Sequence, residues 1–135
     1  MELRILDVSR HQGIIDWNKV KSSGRIDGVM LRALGNSAEG KPSKPYLAPT
    51  FERNYTACTR LGIPVGAYYY SKAVNQTQAD AELAMLHKAL EGKTLGMPVA
   101  VDVEDGVFDL VSKATLTDLV AYDLEQIQGW GVYAM

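Results

Sequence analysis

The stretch "MPVAVDVEDG", residues 97–106, decides the fold. Pro98, Val99, Ala100 and Val101 form an apolar run that closes on Asp102 and Glu104, with Val103 between them. Side chains alternate along a strand, so the two acids are expected on one face and Val101 and Val103 on the other. Both acids lie at the carboxyl end of that strand, which is where parallel α/β folds carry their active sites. Asp105 reads as a loop residue.

On either side of this stretch, apolar runs alternate with amphipathic ones. "RILDVS" (4–9), "GVMLRAL" (28–34) and "PVGAYYYS" (64–71) read as three earlier strands, "PVAVDVE" (98–104) as the fourth and "GVYAM" (131–135) as a fifth. Between them come a helix near "DWNKVKSS" (16–23) and one that stacks Phe51, Tyr55, Cys58 and Leu61. A third is opened by an Asn75–Gln78 capping box and stacks Ala79, Leu83, Leu86 and Leu90. A fourth is expected to be capped by Thr115 and to carry Leu116, Leu119, Val120, Leu124 and Ile127. Residues 36–49 read as a polar loop. This order implies an α/β fold of parallel strands covered by helices. Right-handed crossovers leave an open doubly wound sheet or a barrel.

Other strands also end in polar groups. Asp7 and Ser9 share a face at the end of the first, with His11 and Gln12 just beyond; Arg32 closes the second; Tyr68 and Tyr70 share a face on the third. In a barrel these converge on one mouth, where tyrosine faces suit a pyranose and carboxylates its hydroxyls. Two close carboxylates also push their proton affinities apart, which keeps one protonated for donation to a leaving oxygen. An isolated D-x-E is also met in helix caps and solvated loops. The agreement of several strand ends is what favours a site.

Composition narrows the field. The chain has 135 residues, 47% hydrophobic and 22% charged, the balance of a single globular domain. A net charge of −2 gives no basic footprint for nucleic acid or an anionic membrane. Cys58, the single cysteine, excludes an internal disulfide and falls in an apolar stripe, as a structural thiol does. His11 and His87 are too far apart to make a metal site, and no metal or cofactor is expected; His87 reads as a surface residue. His11 is expected to brace Asp7 by a hydrogen bond, and Trp17 to pack the first helix onto the barrel. No stretch has membrane-spanning length, and no secretory leader is expected before the first strand.

The opening "DVSRHQGIIDW", with "GIPVGAYYYSKA" and "PVAVDVED" following in order, resembles the family 25 glycoside hydrolases, the Chalaropsis-type lysozymes or N-acetylmuramidases. The resemblance runs from Leu6 to Tyr133. It implies a TIM-like (β/α) barrel that cleaves the β-1,4 bond between N-acetylmuramic acid and N-acetylglucosamine of bacterial peptidoglycan. Glu104 matches the general acid, Asp102 the second acid of the pair, and Asp7 the acid that ends the first strand. Tyr68 and Tyr70 match groove aromatics and Arg32 a polar second-strand position, with His11 beside them among the expected substrate-binding residues. Asp102 would orient the substrate's own N-acetyl group as internal nucleophile; an inverting scheme with an activated water stays open.

The chain departs from the family pattern in "RALGNSAEG", which lacks an aromatic, and at Ala48, where an acid is usual. A complete barrel has eight strands and needs about 200 residues. The expectation is therefore a partial barrel of about five parallel strands, one catalytic domain over residues 1–135, truncated at its C-terminal side. An open edge at 132–135 would invite self-association. Such a protein would act outside the cell or on the wall, released by phage or lysis or excised from a larger protein. The competing readings are a non-catalytic wall-binding relative or inactive fragment, and a glycosidase of chitin-like polymers.

Overall fold

The computed structural model describes residues 2–135. The chain runs β1 (Ile5–Val8), α1 (Trp17–Ser22), β2 (Gly28–Gly35), β3 (Tyr46–Leu47), α2 (Phe51–Arg60), β4 (Val65–Tyr70), α3 (Gln76–Leu90), β5 (Val99–Asp102) and α4 (Lys113–Gln128). Short 3-10 turns follow β1 at Arg10–Gln12 and β5 at Gly106–Leu110. The sheet order is β1-β2-β4-β5, all parallel, with β3 pairing antiparallel to β2. Each parallel strand adds to the same edge. A doubly wound sheet reverses its order at a switch point, and this one does not. The winding is that of a (β/α) barrel, present as an arc that does not close.

Alternation along the strands separates the two faces. Val8, Val29, Leu31, Ala67, Tyr69 and Val99 are buried on the outer face, under Trp17, Phe51, Cys58, Leu86 and Ile127 from the helices. Cys58 is fully buried, and burial pushes its thiol up to about 12. Trp17 packs as expected, and its indole Nε1 donates to Asn54 Oδ1 at 2.9 Å. The inner face carries Asp7 beside Met30 beside Gly66, then Arg32 beside Tyr68 beside Ala100, then Tyr70 beside Asp102. Gly66 is needed there: a Cβ would lie 2.4 Å from Met30 Sδ and 2.5 Å from the Pro98 carbonyl oxygen.

The structure differs from the sequence reading at several element boundaries. β5 stops at Asp102, so Glu104 stands on irregular backbone beyond the strand. The last residues begin a fifth parallel strand but reach only a single bridge, Val99 with Ala134, flanked by Val101 N–H donating to the Met135 carbonyl at 2.9 Å. The 36–49 loop contains β3, too short to show a period. α4 is capped by Ser112, whose hydroxyl accepts from Thr115 N–H at 3.1 Å; Thr115 is the third residue of the helix, not its cap. In α3 the cap is Asn75, as read, but Gln78 Oε1 accepts from Val74 N–H at 3.0 Å. β2 also shifts register between Arg32 and Leu34, a bulge that increases local twist where the site residues emerge.

Candidate active site

Asp7, Tyr68, Asp102 and Glu104 line one cleft of about 440 Å³ on the inner face, floored by Met30 and Ala100. Asp7 and Glu104 are exposed, Asp102 is half-buried and Tyr68 is buried. Burial first, and then the neighbouring Glu104 carboxylate, push Asp102 from its ordinary 3.8 up to about 6. Arg32 pulls the other way, and Asp7 adds to the rise. The acid with the raised proton affinity is thus Asp102, one alternate position before the donor expected from the sequence. Tyr68 is pushed up to about 12 by burial and by the neighbouring Asp7 carboxylate, against the Arg32 charge.

Arg32 lies between two aromatic rings. Its guanidinium carbon is 5.5 Å from the Tyr68 ring centre and 5.7 Å from that of Tyr70. Such contacts hold a cation over the negative face of a ring. Among the described residues Arg32 Nε is buried without a hydrogen-bond partner.

The rim behind these residues is braced by buried charge. Tyr70 Oη donates to Asp105 Oδ2 at 3.1 Å, and Asp105 also accepts from Gly40 N–H at 3.0 Å and Val107 N–H at 2.8 Å. Burial opposes ionisation of Asp105, but these N–H donors outweigh it and hold the carboxyl near 2. Lys72 Nζ, fully buried, is 3.5 Å from Asp105 Oδ2 and donates to Ser37 Oγ at 3.0 Å and to the Ala38 carbonyl. Glu82 of α3 accepts from Ser71 Oγ, Ser43 Oγ, Asn36 Nδ2 and Lys72 N–H at 2.6–3.0 Å. Together these bonds pin the loop after β2 to the ends of β4 and β5.

The profile of the glycosyl hydrolases family 25 matches residues 6–132. The chain belongs to this family. It is 29% identical over 99 residues to an autolytic lysozyme of Clostridium acetobutylicum, covering 73% of this chain and 27% of that protein. It superposes on the modular autolysin LytC of Streptococcus pneumoniae, solved with a synthetic peptidoglycan ligand, with a TM-score of 0.78 and 26% identity. That match covers 96% of this chain and 31% of LytC. The catalytic domain of endolysin ply40, from bacteriophage P40 of Listeria monocytogenes, shares the fold at TM-score 0.78 and 17% identity, over 99% of this chain and 62% of that one. The chain thus spans about a third or less of the first two relatives.

Within this family 25 chain, the residues singled out from sequence divide into three groups. Asp7, Tyr68, Asp102 and Glu104 share the acid cleft. Arg32 and Tyr70 line an adjoining one of about 430 Å³. His11 lines neither: its side chain is exposed and makes no hydrogen bond to Asp7. The reason is local. Ser9 and Gln12 close a capping box, with Ser9 N–H donating to Gln12 Oε1 at 2.6 Å, and the 3-10 turn leaves His11 on its outer side. Sequence reasoning missed Lys72, Glu82 and Asp105 as braces. The only sequence signals were a lysine directly after the "YYYS" strand end and a third acid after D-x-E.

Proposed function

We propose that this chain is a peptidoglycan hydrolase of the muramidase type, cutting the β-1,4 bond between N-acetylmuramic acid and N-acetylglucosamine. The observation that carries this reading is the meeting of Asp7, Asp102 and Glu104 in one cleft, in a chain that belongs to family 25. Glu104 protonates the glycosidic oxygen, and its open position leaves room for a polymer to reach it. Asp102 accepts from the acetamido N–H and so directs the acetyl oxygen at the anomeric carbon, a substrate-assisted scheme. Its raised proton affinity suits it to accept that N–H. Tyr68 offers a ring to the sugar and Arg32 a cation to its oxygens. The site of action is the bacterial cell wall.

Reducing-end release from purified peptidoglycan tests the reading. Glu104→Gln is expected to lower the rate by about 10²–10⁴-fold, the range for loss of a general acid, with the melting temperature unchanged. Full activity in that variant would remove Glu104 from its role.

The exposure of Glu104 favours a second reading as a wall-binding relative without hydrolysis. Pelleting with cell walls, without reducing-end release, is its signature. Self-association through the open face belongs to the same proposal, since Ile5 and Met135 stay 38% and 63% exposed there. Sedimentation velocity that finds a monomer at every concentration would remove it.

A further inference from the structure

The cleft of about 430 Å³ beside the acids has a charge pattern that a neutral sugar does not require. It opens between the Arg10 turn, Tyr46 of β3 and the loop after β2, and shares Arg32 and Tyr70 with the catalytic face. Two acids and two arginines line it. The acids are already engaged: Asp105 by Lys72, Tyr70 and two backbone N–H groups, and Glu39 Oε1 by Gly106 N–H at 2.6 Å. Among the described residues neither Arg10 nor Arg32 forms an ion pair.

Both arginines are nevertheless held in place. The Arg10 guanidinium carbon lies 5.9 Å from the Tyr46 ring centre, and Arg32 sits between Tyr68 and Tyr70. The place of Tyr46 is itself built into the backbone. A Cβ on Gly35 would fall 2.4 Å from Tyr46 Cζ, so only glycine lets the ring lie there. Two planar cations, each near an aromatic ring and outside any ion pair, line one cleft and offer N–H groups to a carboxylate.

We propose that this second cleft binds a carboxylate carried by the muramic acid side of the glycan, with Arg10 as the residue that selects for it. The inference rests on the muramidase reading and deepens it. The carboxylate has two sources, the lactyl group itself or the end of a peptide attached to it. A chitin-type chain has neither, so the cleft would give the site its preference for wall polymer.

Equilibrium binding to the whole 135-residue chain, followed through the arginine Nε–H resonances by NMR, tests the proposal. The probes are N-acetylmuramic acid, with a free lactyl carboxylate; N-acetylmuramyl-L-alanyl-D-isoglutamine, whose carboxylate is on the peptide; and N,N′-diacetylchitobiose, with none. At least one acid probe is expected to bind about tenfold more tightly than chitobiose, and Arg10→Gln to erase that margin while leaving chitobiose unchanged. The tighter of the two acids identifies the source. Equal affinity for all three, no measurable binding of either acid, or an intact margin in Arg10→Gln would overturn the proposal. Gly35→Ala, which evicts the Tyr46 ring, should reproduce the Arg10→Gln loss. Failure of the muramidase reading is seen separately: a preserved carboxylate margin without reducing-end release sinks the hydrolase and leaves the carboxylate site, and release without the margin does the reverse.

Discussion

Leu31 and Met30 are chain neighbours on β2 in opposite surroundings. Leu31, 1% exposed, lies under the helices, whereas Met30 is half-exposed on the floor of the acid cleft. Tyr69 and Tyr68, and Val101 and Asp102, likewise alternate between the two faces of their strands. One face of each strand builds the core and the other presents the chemistry, so substitutions on the inner face can change the site without opening the core. The rim joins the two faces, and there charge is buried as deeply as any apolar side chain.

The largest effect is expected at the rim. Lys72→Met leaves Asp105 buried without its cation and removes the ammonium donor from Ser37 and Ala38, and should cost about 3–5 kcal/mol in urea unfolding. Loss of less than about 1 kcal/mol would mean the rim is not a structural joint. Next comes the pair on β2. Leu31→Ala should cost about 2–5 kcal/mol because it leaves a cavity, and Met30→Ala below about 1 kcal/mol because water can fill its place. Equal costs would break the distinction between the faces.

Acidity sharpens the same contrast. Asp123 of α4, buried on the outer side near Tyr69 and Glu82, is pushed up by burial to about 7; Asp102 on the inner face reaches about 6. A carboxyl that holds its proton more tightly folded than unfolded stabilises fully below the unfolded value, and that stability is lost as pH rises towards the folded value. The windows therefore run from 3.8 to about 7 for Asp123 and from 3.8 to about 6 for Asp102. Asp123→Asn should raise the melting temperature near pH 8 and leave it unchanged near pH 3. Asp102→Asn should do the same more weakly, since water reaches that group. A flat difference between wild type and Asp123→Asn across the window would show that its proton affinity is ordinary. The smallest change is at the α4 cap: Ser112→Ala should cost about 1 kcal/mol and Thr115→Ala close to nothing.

The sequence was most legible where one rule governs many residues. Period-two alternation located the parallel strands and separated Asp102 from Val101, and the three-and-four spacing placed Phe51, Cys58, Leu83 and Leu86 inward. It was least legible where structure depends on contacts between distant segments. Nothing local to Lys72 or Asp105 announces their pairing, and two residues of β3 carry no period. Ser112 was passed over for Thr115 because both are capping residues and the intervening Lys113 and Ala114 carry no apolar marker. His11 was expected at Asp7 from adjacency alone, and the capping box that turns it outward depends on the backbone of Ser9.

Cys58 gives this chain an internal clock. Its thiol is sealed between α2, which carries it, and the sheet, and the burial that pushes it up to about 12 leaves it almost wholly unreactive while the core is closed. As the one sulfhydryl in the sequence, it can be labelled only when the outer layer parts from the sheet. The rate at which a thiol reagent is consumed therefore reads the opening of that layer directly, and a bound glycan that slows the rate reports a coupling between the two faces that absorbance or fluorescence would average away.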